Sequence, residues 1–333
     1  MAIKWKDRGY WVSLHFYWQS LIHYFYNCAR FRSLTFFSAV NPAIPFGGML
    51  DDKKSDIDPI IPEKYRPTTI KYHIDQPLES QLNAAGIQAP FIVKPDVGLK
   101  GYKVRYFESE ENANIFLSQH AAAEAWIIQS YIDFKREFSI LYYHNPIKED
   151  YGVLSLIEKQ YPMIKGDGVK DIKTLIQESD NAYIDKEWIL EKWENKWAEV
   201  LPIGEQLIID NIGNYSRGSS FHSMMDQVTP TLVSKCKSIF DEFKGVHFFR
   251  MDLKANSLEA FMEGDFKVIE INGAKGEPLH IYDKQHSFWS NIKDIHKHWK
   301  VLSEIVTSKH EAGYEFPNNI EGLKALRAIK QVG

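Results

Sequence analysis

Two short stretches of this chain, Arg250-Met251-Asp252-Leu253 and Val268-Ile269-Glu270-Ile271-Asn272, set charged or amide side chains among apolar ones. Successive side chains of a strand point to opposite faces, so Arg250 and Asp252 share a face, as do Glu270 and Asn272. The residues around them, Met251, Leu253, Val268, Ile269 and Ile271, are apolar. A solvated polar face is the bland reading of such alternation. The apolar partners favour the other reading, two half-buried strands whose polar faces carry chemistry. If the strands pair, two carboxylates, an amide and a guanidinium converge. Hard oxygen ligands of this kind suit Mg²⁺ beside nucleotide phosphates.

The rest of the chain mixes strands and helices. Ser33 to Val40 reads as a buried strand ended by Asn41-Pro42, and Thr68 to Tyr72 as another. Leu78 to Ala85 reads as a helix closed by Gly86. Strands follow at Phe91 to Lys94, Lys103 to Phe107 and Ala125 to Tyr131, with a helix from Glu110 to His120. Phe138 to Tyr143 and Gly152 to Glu158 pair as neighbours. Lys165 to Gly168 is a loop, and a helix begins at Ile172. A charged, tryptophan-bearing helical stretch runs from Asp180 to Leu201. Glu205 to Asn211 reads as a strand, Asn214 to Ser220 as a polar loop and Val228 to Phe243 as a helix. Val246 to Leu253 and Phe266 to Ile271 are strands joined by a polar turn at Glu263-Gly264-Asp265. Antiparallel hairpins among helices, without a repeat, predict an α+β fold rather than a doubly wound sheet.

Composition removes several function classes. Hydrophobic residues make up 44% and charged residues 25% of 333, globular values that exclude a disordered chain. The net charge of −4 supplies no field to gather nucleic acid or an acidic membrane. Cys28 and Cys236 make no disulfide framework, and a reducing, cytoplasmic setting is the simpler expectation. Between Tyr10 and Phe37 the chain is rich in aromatics, but His15, Gln19, His23, Asn27, Arg30 and Arg32 interrupt it. An amphipathic helix packed on the body is expected there, ahead of attachment to a membrane surface.

Val93-Lys94-Pro95-Asp96-Val97-Gly98-Leu99-Lys100-Gly101 adds a second constellation. A lysine at a strand end reaches phosphate as a point charge, and glycines let backbone N–H groups approach it. A hairpin turn is the bland alternative, and the spacing is not that of a P-loop. Together with Ile128-Gln129-Ser130-Tyr131-Ile132, Arg136-Glu137-Phe138, Gly166-Asp167-Gly168, Asn214-Tyr215-Ser216-Arg217-Gly218-Ser219-Ser220, Arg250-Met251-Asp252 and Glu270-Ile271-Asn272-Gly273, this order resembles the ATP-grasp superfamily. The resemblance runs from about Ala89 to Tyr282 and points to the branch with cyanophycin synthetase, fused bacterial glutathione synthetases and, more distantly, D-alanine–D-alanine ligase.

The resemblance implies an ATP-grasp fold, two α+β lobes clamping ATP, with a short N-terminal segment and a helical C-terminal tail. Residues 1–77 would be the N-terminal region, 78–136 the lid lobe, 137–285 the catalytic lobe and 286–333 the tail. It implies that Lys94 and Lys159 meet ATP phosphates under a loop holding Gly98 and Gly101. Gln129, Tyr131 and Ile132 would read adenine, and Glu137 the ribose. Asp252, Glu270 and Asn272 would hold Mg²⁺, and Arg250 would steady an acyl phosphate and its tetrahedral successor. Arg217 is either a carboxylate- or phosphate-binding arginine or a surface one. The implied activity is carboxylate–amine ligation; a hydroxyl kinase and a silent nucleotide-binding partner protein stay open. Small carboxylate and amine substrates are the expected partners, and a homo-oligomer is left open.

The chain departs from the family pattern in its short, aromatic N-terminal region and in a longer spacing from Gln129 to Glu137. Lys71 is a weak candidate for a further basic ATP contact. His280 reads either as a general base or as packing. Phe46-Gly47-Gly48 reads as cleft lining or an ordinary turn. His296 and His298, lacking metal-site spacing, are expected at the surface.

Overall fold

The computed structural model describes residues 8–50, 53–98, 103–121, 124–179, 189–190 and 192–329. The chain opens on helix α1 (Arg8–Phe31). One face of α1 buries Val12 and Phe16 in a core shared with Ile295, Trp299 and Leu302. Ser20 accepts from the Trp299 indole at 3.0 Å. A second face leaves Trp18, Ile22, Phe25 and Tyr26 exposed. The expected packed helix is therefore found, but its apolar side chains exceed what the body covers. No described helix is long and apolar enough to cross a membrane. The strand expected at Ser33 to Val40 is instead a 3-10 helix, Phe36–Val40, whose residues are all buried. An isolated apolar run carries no period, and here its side chains are buried without any ladder partner. The short α2 (Lys54–Ile57) follows.

A four-stranded antiparallel sheet comes next, with β1 (Thr69–Lys71), β2 (Phe91–Pro95), β3 (Arg105–Phe107) and β4 (Trp126–Ser130) in the order β1-β4-β2-β3. Thr69–Lys71 is thus an edge strand of this sheet, although the sequence grouped it with the N-terminal region. Helices α3 (Leu78–Ala85) and α4 (Glu110–His120) cover one face through Leu82, Ala113 and Leu117. Gly86 ends α3 at φ 67°, a left-handed cap that glycine adopts at no steric cost. Ser109 caps α4 by accepting from the Asn112 N–H, a contact worth about 1 kcal/mol.

The larger sheet is five-stranded and antiparallel, built from β5 (Arg136–Asn145), β6 (Asp150–Gln160), β9 (Ser220–Ser223), β10 (Phe248–Ala255) and β11 (Phe266–Asn272) in the order β11-β10-β5-β6-β9. Between them lie a two-stranded ribbon, β7 (Met163–Lys165) with β8 (Gln206–Ile208), and the helices α5 (Ile172–Glu178), α6 (Pro230–Phe240) and α7 (Leu258–Met262). The turn expected at Glu263 to Asp265 thus follows a helix that the sequence reading missed. Residues 180–188 and 191 of the helical stretch expected at 180–201 lie outside the described residues; near its end is a 3-10 turn, Glu194–Lys196.

One face of the large sheet is apolar apart from the Arg136–Glu158 ion pair at its edge. Phe138, Ile140, Phe249, Met251, Leu253 and Ile271 pack there beneath α6 and α7. The other face is divided. Leu141, Ile157, Phe221 and Phe248 meet α1 and the long helix α8 (Phe288–Glu311) at one end. The remaining end carries the charged residues. The last helix is α9 (Asn319–Ile329). His298, expected at the surface, is buried against Phe16 and Phe248, while His296 is exposed. Burial holds His298 down to about 3, so it packs as a neutral ring.

Candidate active site

The alternation of polar and apolar residues along two strands sets the site. β10 pairs with β11 so that Arg250 lies opposite Asn272 and Asp252 opposite Glu270. β10 also pairs with β5, placing Asp252 beside Ser139 and Lys254 beside Glu137. On the far side of β5, Glu137 faces Lys159 of β6. Four adjacent strands thus bring their polar positions to one patch.

Lys159 is at its centre. Its ammonium donates to Glu137 Oε1 at 2.8 Å and to Asp252 Oδ2 at 2.9 Å, all three side chains being buried. Ser139 donates to Asp252 Oδ1 at 2.5 Å, and Tyr161 to Glu137 Oε2 at 2.8 Å. Arg250 Nε stands 3.3 Å from Asp252 Oδ1. Burial alone would raise Asp252, but Lys159, Arg250 and the Ser139 hydroxyl outweigh it and hold the carboxyl at about 2. Burial would lower Lys159 and Arg250, yet their carboxylate neighbours keep both above the ordinary value. Asp252, Lys159 and Arg250 are therefore all held in their charged forms.

Lys94 enters from the other sheet. It donates to the Gln129 side-chain oxygen at 3.0 Å and reaches the Ile269 carbonyl at 3.4 Å. Burial lowers it to about 8, against the pull of Glu270 and Asp58. Lys94, Gly98, Gln129, Glu270 and Asn272 line one cleft between the sheets. Gly101 lies outside the described residues. Tyr131 and Ile132 fall in the linker between β4 and β5, where Lys254 donates to the Ile132 carbonyl at 3.1 Å and sits 4.5 Å over the Tyr131 ring.

Asn272 carries a buried side-chain nitrogen with no hydrogen-bond partner among the described residues. An amide presents either end on a flip, so an oxygen is as available there as a nitrogen. With Glu270 and Asp252 this gives three hard oxygen donors on facing strands, a set that fits Mg²⁺. Asp252 also serves Lys159 and Ser139, which fixes its carboxylate in place.

Other expected residues go elsewhere. Arg217 pairs with Asp210 at 2.7 Å and reaches the Val104 carbonyl at 3.3 Å, in a group distinct from that on Arg250. Lys71 is exposed on the edge strand. His280 is buried, and its Nε2 lies 3.1 Å from Asp294, which also meets His286 at 2.7 Å. The packing reading of His280 is the one the geometry favours. The Phe46-Gly47-Gly48 turn abuts the site: Ala274 N–H donates to the Gly47 carbonyl at 2.9 Å and Lys275 N–H to that of Gly48 at 3.1 Å. Lys254 and Ser139 were missed by the sequence reading. Lys254 could have been found by continuing the period of two from Arg250 and Asp252; Ser139 carried no signal until its strand was paired.

No protein-family model matches the chain, and no curated protein sequence does. Among solved structures it is similar to a bifunctional glutathione synthetase from Pasteurella multocida, at 15% identity and a TM-score of 0.40, covering 74% of this chain and 36% of that one. It is similar to D-alanine–D-alanine ligase from Bacillus anthracis, at 13% identity and 0.42, covering 84% and 69%. It is also similar to VanG D-Ala:D-Ser ligase from Enterococcus faecalis, at 9% identity and 0.43, covering 76% and 61%. The chain thus spans about a third of the length of the first of these.

Proposed function

We propose that this chain is an ATP-dependent carboxylate–amine ligase that makes an amide or peptide bond through an acyl phosphate, releasing ADP and phosphate. One observation carries the reading: Lys94 from the four-stranded sheet meets Glu270 and Asn272 from the five-stranded sheet in one cleft, and Arg250 and Asp252 lie directly across the strand pair. Cations for phosphate oxygens thus stand beside oxygen donors for a divalent cation.

Lys94, Lys159 and the Gly98 loop would hold the phosphates of ATP. Gln129 and the 131–132 linker would border adenine, and Glu137 the ribose. Glu137 and Lys159 are bonded to each other here, so nucleotide contacts would have to exchange for that pair. Asp252, Glu270 and Asn272 would hold Mg²⁺, which when bound neutralises phosphate charge. A carboxylate is a poor electrophile until one of its oxygens takes the γ-phosphoryl group. An amine then attacks the acyl carbon, the C–N bond forms, and phosphate leaves with the electron pair of the broken C–O bond. Arg250, half-buried and kept charged by its carboxylate neighbours, would stabilise an oxyanion.

The test supplies Mg²⁺, ATP and a pool of amino acids and small acids, and measures ADP and phosphate together with the organic product. With ¹⁸O in the carboxylate, one labelled oxygen is expected in the released phosphate. A stable phosphorylated product without an amide would replace this reading by that of a hydroxyl kinase.

A further inference from the structure

Packing keeps His280 out of the cleft that holds Lys94 and Glu270, but one edge of its ring meets two other metal-ligating side chains. His280 sits on the 3-10 turn Leu279–Tyr282 that follows β11. His286 lies just ahead of α8, and Asp294 in the second turn of that helix. Ser287 caps α8 by accepting from the Ser290 N–H at 3.1 Å, which fixes where the helix starts relative to His286.

Both imidazoles converge on the same oxygen. His280 Nε2 lies 3.1 Å and His286 Nε2 2.7 Å from Asp294 Oδ2, and the three ligand atoms are all within 4.8 Å of one another. A tetrahedral Zn²⁺ with bonds of about 2.0–2.1 Å holds its ligands about 3.3 Å apart. The two contacts would lengthen by only about 0.2 and 0.6 Å to admit it. The plain alternative is an aspartate accepting from two neutral rings. His280 Nδ1, however, is buried with no hydrogen-bond partner among the described residues. No bond at Nδ1 therefore holds the proton on Nε2, and Nε2 is free to present its lone pair.

A second feature points to a ligand at the same place. Asn291, one turn before Asp294 on α8, is 3% exposed, and its side-chain oxygen has no hydrogen-bond partner among the described residues. Asn291 and His286 together line a cavity of about 600 Å³, whose other walls include Trp11, His15 and Phe288. The cluster thus has an open side, and a polar group without a partner stands on it.

We infer that His280, His286 and Asp294 bind a divalent transition ion of the Zn²⁺ class, with a fourth position open to the cavity that His286 and Asn291 line. Imidazole nitrogens favour such an ion over Mg²⁺, which takes oxygen ligands. This site and the oxygen set on β10 and β11 would then sort two kinds of cation. The ion would clamp the turn that follows β11 to α8, and a water from the cavity would complete its coordination. The inference stands whether or not the chain is a ligase.

The test uses the full chain without a histidine tag, stripped with EDTA, dialysed and given Zn²⁺ alone. Calorimetry and elemental analysis should find one tight equivalent per chain, and the melting temperature should rise with Zn²⁺ concentration as mass action requires. His286→Ala and Asp294→Asn should each weaken binding more than about 100-fold, beyond what loss of an outer-shell partner costs. His296→Ala, which removes an exposed histidine elsewhere, should bind as the wild type does. Absence of tight binding in the wild type, or equal binding by folded His286→Ala and Asp294→Asn, overturns the site. Should both variants fail to fold, X-ray absorption at the zinc edge of the loaded wild type decides. Imidazole and oxygen ligands at about 2.0–2.2 Å support the assignment, and a sulfur shell overturns it.

Discussion

At the scale of single residues, the carboxylates that face one another across β10 and β11 differ in what they hold. Asp252 is buried and bonded to Lys159, Ser139 and Arg250. Asp252→Asn would strip one charge from a desolvated cluster, and stability should fall by about 3–5 kcal/mol, measured by urea unfolding. Glu270→Gln should leave the melting temperature within about 2 °C while abolishing turnover, because Glu270 faces the cleft rather than the core. Near-normal turnover in folded Glu270→Gln would remove it from the metal set. Lys94 offers a pH test. Its value of about 8 in the free protein means that it is charged below that pH and neutral above it. Bound phosphate favours the charged form and raises the value. ATP affinity should therefore be flat below pH 8 and weaken up to about ten-fold per unit above it, as titration calorimetry can read. Lys94→Ala should remove most of that dependence.

At the scale of elements, the Phe46-Gly47-Gly48 turn shows how a segment remote in sequence supports the site. Gly48 has φ 74°, and a Cβ there would press on Gly273, next to Asn272. Gly48→Ala should cost about 1–3 kcal/mol and lower kcat by shifting the Asn272 backbone; a melting curve and a turnover assay check both. Elements with a strong local signal were legible: β10 and β11 from their alternation, and α3 from its closing glycine. Short or unpartnered segments were not. Phe36 to Val40 has a strand's composition, but no neighbouring strand accepts it. β8 was expected from Glu205 to Asn211 and forms only over Gln206–Ile208. The charged half of the site could be read because its residues lie on period-two strands.

At the scale of the whole molecule, the proposed function requires that a nucleotide enter the cleft. The cleft encloses about 30 Å³, whereas sites for ligands of this size take about 300 Å³ or more. The two sheets must therefore part. The chain passes between them at two places that lie side by side: near Thr68, whose carbonyl accepts from the Ser130 N–H at 2.9 Å, and at the 131–135 linker. Such a pair is a natural hinge. Opposite it, Asp96 closes the molecule: it accepts from the Ser55 N–H at 2.9 Å and the Ser55 hydroxyl at 2.8 Å. Ser55 belongs to α2, whose Ile57 is in the core of the large sheet, so these bonds tie one sheet's loop to the other sheet's body. Removing Asp96 should favour opening. With fluorophores on Ile115→Cys and Lys244→Cys in a Cys28→Ser background, Asp96→Ala should broaden the single-molecule distance distribution toward longer values before nucleotide is added, and Mg²⁺ with ATP should narrow it again. Charged hydrogen bonds are each worth about 1.5–3 kcal/mol, so the shift in population should exceed ten-fold. A distribution identical in wild type and Asp96→Ala, with ATP still bound, would place the entry route elsewhere than between the sheets.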